Sequence, residues 1–498
     1  MRRYNICKYL KDLSSFFIFY MRFFIPFLVI TFAAFSSCLS DEEYSSSPKD
    51  VLTFSVDTVD LDTLISGELA HTRTLLVYNT NKSALRIASV SLLNGEHSIF
   101  RANVDGTALH QGVASDFEVR SGDSLRIFVN ALPPSADSDT PIGYTDKLLF
   151  QLESGIIQEL PLEIHGLDVI KLEGCNLYED FTLTAKRPYQ IMDSLVVHEG
   201  AHLNIEAGAQ LLFHPEATLI VYGSVNAQGS VADNIVFRGD RLGNMFTNQS
   251  YDHIPGQWGG IRICAQSFGN IFNYVDIHSG DFGIRCDSSR CDIEKLRVEN
   301  SVIHNMSGNL LTLINGKAFI GNSQLTNAGE NCLHILGGDV EVVHTTIGQF
   351  YPFHAGRGVA LSFSNHDGVT VHPLHRLFVV NSIITGYASD EIFGSNQGEN
   401  AVFNYTFTHC LLNTPAYESP EIVNCIWDTD TNPVSRADNF APPFDLDCLY
   451  YTFYLDEKSM AVGTAEPTFS STFYPFDRLG RPRSNTPCMG CYELTTCE

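Results

Sequence analysis

From about residue 190 the chain is built from short runs in which apolar and polar positions alternate, the period-2 pattern of half-buried strands. Leu296/Val298, Ala318/Ile320, Val340/Val342, Leu377/Val379 and Tyr405/Phe407 each lie in such a run. After each comes a four-residue group: Asn300-Ser301-Val302-Ile303, Asn322-Ser323-Gln324-Leu325, His344-Thr345-Thr346-Ile347, Asn381-Ser382-Ile383-Ile384 and His409-Cys410-Leu411-Leu412. The first three groups are 22 residues apart, and the later gaps are longer. A period near twenty containing period-2 strands predicts a stacked β-solenoid rather than a meander of hairpins. Coils stacked at the inter-strand spacing of about 4.8 Å place Val298, Ile320, Val342, Val379 and Phe407 in one apolar ladder. The Asn/His column falls at the bend that follows, where Asn tolerates left-handed backbone angles and its amide can bond the next coil. His344 and His409 are therefore read as bend residues.

Residues 51–168 show a different pattern, with β-rich runs separated by turn residues at the spacing of an antiparallel sandwich. Val51–Val56, Leu75–Asn81, Leu125–Val129 and Lys147–Leu152 are its clearest predicted strands. Ahead of them, basic Arg22 precedes an apolar run from Phe23 to Phe35, then Ser36, Ser37 and Cys38. That run is short for a membrane span and reads as a cleaved signal segment, with translation starting at Met1 or Met21. The expected organisation is a leader over 1–37, a tether over 38–50, a sandwich over 51–168, a solenoid over 169–425 and a closing segment over 426–498.

Charge narrows the choice of partner. The chain carries a formal net charge of −26, and loss of residues 1–37 removes five cations and one anion, giving −30. A surface so acidic lacks the basic footprint that phosphate needs, which excludes nucleic acid. With 44% apolar and 18% charged residues the composition is that of a multidomain globular protein. Thirteen cysteines are scattered along it. Cys286, Cys332 and Cys410 sit in apolar runs as small hydrophobes, whereas Cys448, Cys488, Cys491 and Cys497 cluster near the C-terminus, where one or two disulfides are plausible outside the cytosol. Cys488-x-x-Cys491 has no second well-spaced pair, so no metal site is expected.

Several segments resemble known families. The run ending at Cys38 resembles a bacterial lipoprotein signal, and Asp41-Glu42-Glu43 is similar to the surface-export signal of Bacteroidetes lipoproteins. The resemblance implies lipidation at Cys38 and attachment to outer-membrane lipid at the cell surface. Residues 51–168 resemble an immunoglobulin-like module. The repeats, with Leu195–Phe213, Leu219–Gly229 and Ile235–Asp240 leading to Trp258-Gly259-Gly260-Ile261, resemble the right-handed parallel β-helix of the pectate-lyase-like superfamily. The tail is similar to the closing segment of bacterial surface β-helix proteins, through Asp477, Gly480, Arg481-Pro482-Arg483 and Gly490-Cys491-Tyr492-Glu493. It departs at Cys488 and Cys491, where that pattern has Asp and Ala. The expected fold is thus all-β: an immunoglobulin-like sandwich, a right-handed parallel β-helix and a C-terminal cap covering exposed rungs.

A solenoid offers binding sites where an insertion breaks its repeat. The longest break, between His344 and Asn381, holds Tyr351, Phe353, His354, Arg357, His366, Asp367, His372 and His375, with aromatic faces for sugar rings and polar groups beside them. Asp276, Asp281, Arg285 and Asp287 form a second cluster. Lyases of this fold combine calcium-binding acids with a basic residue, and its hydrolases use paired acids. The full motif of neither is present, and Asp281 and Asp287 read as turn residues. The expected function is a surface lipoprotein whose β-helix binds a polysaccharide, a surface glycan or another surface partner without catalysis and needs no cofactor. The alternatives are a polysaccharide lyase, with calcium, or a glycosidase, and then a structural stalk.

Overall fold

A computed structural model describes residues 43–246, 249–398, 401–429, 436–445 and 450–494. The leader and Cys38 lie outside them, as do Cys448 and Cys497. The chain forms two compact units. One comprises the described residues up to Val59 with Thr72–Asn130 and Asp146–Leu162; the other comprises Asp60–His71, Ala131–Thr145 and Glu163 onward.

The N-terminal strands make two five-stranded sheets. The predicted strands at 75–81, 125–129 and 147–152 appear as Arg73–Tyr78, Ser124–Ala131 and Ile142–Leu152. Their alternation buries Val77, Ile127, Val129, Leu148 and Phe150 completely between polar neighbours.

Beyond them the chain winds into a parallel β-helix with three strands per full coil. A 10-stranded sheet forms one wall, and an 18-stranded sheet, carrying two strand columns, forms the others. The apolar ladder occurs in register: Val298 pairs with Ile320, Ile320 with Val342, Val342 with Val379, and Val379 with Phe407. It extends further toward the N-terminus than the 22-residue groups indicated, through Phe272, Ala227, Ile205 and Leu183. All nine side chains are essentially inaccessible to water.

The bend column is left-handed throughout, with φ of 50° at Asn300, 50° at Asn322, 48° at His344, 52° at Asn381 and 49° at His409. Asn322 Nδ2 donates to Asn300 Oδ1 at 2.7 Å, and Asn300 Nδ2 to Asn273 Oδ1 at 2.9 Å. The next position adds a second ladder: Ser301 N donates to Ser323 Oγ, and Thr345 N to Ser382 Oγ, both at 3.1 Å. The corner groups of one coil are thus satisfied by the next, as buried polar groups require.

The C-terminal segment runs along the outside of these coils. Asp477 receives backbone N–H bonds from Leu479, Arg481 and Glu493, folding the stretch from Asp477 to Arg483 into a tight loop. Arg483 pairs with Glu493 at 3.2 Å and donates to Asn322 Oδ1 at 2.8 Å. Arg478 reaches Asn234 at 2.8 Å, and Tyr474 donates to Glu299 at 2.6 Å. Gly490, at φ 82°, lies so close to the solenoid that a Cβ would sit 2.5 Å from Thr346 Oγ1. Cys488 and Cys491 are buried free thiols, with burial raising both above the ordinary thiol range.

His344 joins bend and tail. It is fully buried, with Nε2 2.7 Å from Ser470 Oγ and Nδ1 3.3 Å from the Gly490 carbonyl oxygen. Burial, helped by the Arg483 charge, holds it well below its ordinary value, so it is neutral in the fold. An unfolded chain binds a proton there near pH 6.5 while the folded one does not, so this contribution is present above 6.5 and lost as pH falls. His344→Asn, which keeps a residue suited to the corner, is expected to flatten the pH dependence of stability by about 2 kcal/mol between pH 7 and 5. Urea unfolding of both proteins at the two pH values checks it.

Candidate functional site

Asp276 and His278 are two residues apart on the strand Val275–His278, so both point outward from the solenoid. The next coil places His304 directly beside His278 in register, and the following one places Thr326 beside His304. The strand end is fixed from below by fully buried Trp258, whose Nε1 donates to the His278 carbonyl at 2.8 Å while its ring stacks on Phe213 at 4.2 Å.

The loop before Trp258 closes one side. Ser250 Oγ accepts from Asp252 N, Ser279 Oγ donates to the Asp252 carbonyl, and Asn305 Nδ2 donates to the His253 carbonyl. These bonds pin the short helical turn Tyr251–His253 and bring Asp252 Oδ1 to 3.4 Å from His278 Nε2 and 2.5 Å from Arg238. On the other side of the imidazole, His278 Nδ1 lies 3.0 Å from Asp276 Oδ1, which is itself 3.2 Å from His304 Nε2. The result is a continuous row: Arg238, Asp252, His278, Asp276, His304.

Its electrostatics follow from the alternation of sign. Burial by itself lowers His278, but Asp276 and Asp252 on either side outweigh it and hold the imidazolium up at about 9. Burial opposes ionisation of both carboxyls as well, yet the imidazoles hold Asp276 well below the carboxylate range, and His278 with Arg238 does the same for Asp252. At neutral pH the row therefore contains two carboxylates and a cationic His278.

The row borders a cleft of about 190 Å³. Asn305 and Asn327 line it, both with left-handed backbone and both 3% exposed, their side-chain carbonyls without a hydrogen-bond partner among the described residues. The tail supplies the far wall: Tyr451, Tyr454, Arg478 and Tyr492, the last donating to Gln324 Oε1 at 2.8 Å. The Tyr454 ring meets that of Tyr492 edge-on at 4.8 Å. Convergent polar groups beside aromatic walls are the usual make-up of a ligand pocket.

Of the residues singled out from sequence, Asp276 belongs to this site. Asp287 is held by Arg262 at 2.9 Å, with Arg285 4.0 Å away, on a different strand column. Asp281 accepts from Ser307 Oγ in a turn. The long break between His344 and Asn381 is divided among separate local arrangements. Tyr351 is buried and Phe353 exposed beside it, His354 accepts from Gly356 N, and Arg357 lies over the Tyr387 ring. His366 bonds Ser395, Asp367 closes a turn on Val369 and Thr370 with His372 at 3.4 Å, and the His375 carbonyl accepts from Asn404. His278, His304 and Asp252 were missed. Four residues past Asn300 is His304 and four past Asn322 is Thr326, so the same count back from His278 reaches Tyr274, a left-handed corner at φ 49°. Because Tyr occupies that corner instead of Asn, the coil is hidden from a search for the Asn/His column.

No protein-family profile matches the chain, and no curated protein sequence matches it. Among solved structures it is similar to a Family 28 exopolygalacturonase from Yersinia enterocolitica, at 9% identity over 76% of this chain and 87% of that one, with a TM-score of 0.20. The N-terminal domain of PorA matches at 15% identity over 23% of this chain and 97% of its own, with a TM-score of 0.17. A family 123 glycoside hydrolase from Clostridium perfringens matches at 8% identity over 23% of this chain and 26% of its own length, also at 0.17. Likenesses at this level carry no argument about activity, and the site is read from its own geometry.

Because the folded value of His278 lies above the ordinary 6.5, the stability its clamp contributes is complete below pH 6.5 and is lost as pH rises through about 9. Asp276→Asn is expected to cost about 1–3 kcal/mol at pH 6 and much less at pH 10. Urea unfolding in the presence of a chelator at both pH values measures the difference.

Proposed function

We propose that the protein is a cell-surface lipoprotein, anchored through Cys38 to outer-membrane lipid, whose β-helix holds a polysaccharide or surface glycan in the cleft beside Asp276 without cleaving it. The observation that carries the binding reading is the cleft itself, in which the polar groups of Asp276, His304 and Asn305 stand opposite Tyr451, Tyr454, Arg478 and Tyr492. Asp276, His304 and Arg478 offer the cleft polar groups of both signs, to which the hydroxyls of a bound sugar can bond. Tyrosine rings supply the flat apolar faces on which pyranose rings pack.

The non-catalytic reading rests on the carboxyls. Acid-assisted glycoside cleavage uses a pair of carboxyl groups in which one is kept protonated to donate to the leaving oxygen. Asp276 and Asp252 are both held ionised, and Asp252 is engaged by Arg238 and His278. The anchor rests on the sequence alone: the basic residue, the apolar run and Cys38 followed closely by acids.

The protein, incubated with a panel of neutral and acidic polysaccharides with and without calcium, is expected to be retained by at least one polymer and to generate neither new reducing ends nor unsaturated products. Tyr454→Ala is expected to weaken that retention by up to about tenfold, in line with the ~0.5–1.5 kcal/mol of an aromatic contact beyond its buried area. Cleavage of any polymer that is lost in Asp276→Asn would replace this reading with a lyase or glycosidase. In cells, incorporation of labelled fatty acid that is abolished by Cys38→Ser tests the anchor independently.

A further inference from the structure

We infer that Asp276, His278 and His304 form a binding site for a divalent transition-metal ion of the zinc type at the edge of the cleft. One ligand atom from each of the three lies within 4.8 Å of the others. The carboxylate oxygen is 3.0 Å from one imidazole nitrogen and 3.2 Å from the other. Two ligand atoms each about 2.0–2.1 Å from a tetrahedral ion stand roughly 3.3 Å apart, so these separations already approach those of a coordinated set. Two imidazoles with one carboxylate are the donors that suit zinc, cobalt or iron, whereas calcium and magnesium take oxygen.

The surroundings match what a metal-bound histidine needs. A ligating imidazole is oriented by a carboxylate on its other nitrogen, and His278, bound to Asp276 through Nδ1, presents Nε2 to Asp252 at 3.4 Å. Asp252 is in turn fixed by Arg238 and by the backbone of its loop. The two rings stand on register-paired strands with centroids 4.9 Å apart, so neither has to be recruited from a distant segment. Asp276 and His304 also line the cleft, which leaves the ion an open side toward it. A bound ion there would present a positive charge to the oxygen atoms of whatever occupies the cleft. The inference deepens the binding reading of the cleft but does not need the ligand to be a glycan.

The test uses the full chain, stripped with chelator and titrated with Co²⁺ as a spectroscopic probe and then with Zn²⁺. One equivalent of Co²⁺ is expected to bind with the visible absorption of a four- or five-coordinate ion, and Zn²⁺ to displace it. Asp276→Asn and His304→Gln are each expected to weaken Co²⁺ binding about 100-fold, and Asp252→Asn about 10-fold or more, through loss of ring orientation. His372→Gln, on the separate Asp367 turn, should leave binding unchanged. Failure of the unsubstituted protein to take up stoichiometric Co²⁺, or uptake that Asp276→Asn and His304→Gln leave unaltered, overturns the site. Because this readout involves no polysaccharide, its failure leaves the retention experiment to be judged separately.

Discussion

One backbone conformation, repeated in each coil from Tyr274 to His409, governs this part of the solenoid: the left-handed corner between its first two walls. A non-glycine residue pays roughly 1–2 kcal/mol to adopt it. Asn meets that cost with its own amide, which bonds along the column from Asn322 to Asn300 and from Asn300 to Asn273, the strand residue beside the Tyr274 corner. Each corner sets where the following strand begins, and so which side chains of every coil face inward. If a corner slipped by one residue, period-2 alternation would turn Val298 or Ile320 outward and their polar neighbours into the core. From Phe272 to Phe407 the apolar ladder therefore depends on a column of residues that lie outside it.

The same register builds the candidate site. His278 and His304 are adjacent because their strands follow corners at Tyr274 and Asn300, and Asp276 faces outward with His278 because the strand period is two. A flat sheet face offers no enclosure. Walls come from two irregular additions: the loop ending at Gln257, pinned by Ser250, Ser279 and Asn305, and the tail with Tyr454, Arg478 and Tyr492. The regular part of the protein thus supplies rigid placement and the irregular parts supply shape, a common division of labour between scaffold and loops.

The ladder and corner were legible in the sequence because they obey short, local rules: alternation within a strand and a repeated count between coils. Val298, Ile320, Val342, Val379 and Phe407 could be aligned by eye. The earlier members Leu183, Ile205 and Ala227 keep the same 22-residue count, but the coil between Ala227 and Val298 is stretched by loops and turns its corner on Tyr274, which breaks the pattern. The site was legible only as far as Asp276. Its partners depend on that hidden coil, on a loop that reads simply as polar, and on a tail more than 140 residues downstream of His304 in its Arg478 and Tyr492. The aromatic and histidine-rich break near residue 360 drew attention by composition, yet its side chains satisfy turns of their own, such as that of Asp367. Likewise the tail was expected to cover exposed rungs, and its contacts with Asn234, Glu299, Asn322, Thr346 and Asn381 run lengthwise over several coils.

That lengthwise path has a consequence for how the protein is made. Arg478 bonds to Asn234 across 244 positions of sequence, and Tyr474 to Glu299 across 175. A ribosome releases the early coils long before it has synthesised the residues that fasten them. Until then Asn234 and Glu299 lack the bonds that the tail gives them. A chain cut before residue 474 therefore loses bonds at Asn234 and Glu299 as well as at later coils, so the tail acts as a lengthwise tie that joins coils far apart in sequence.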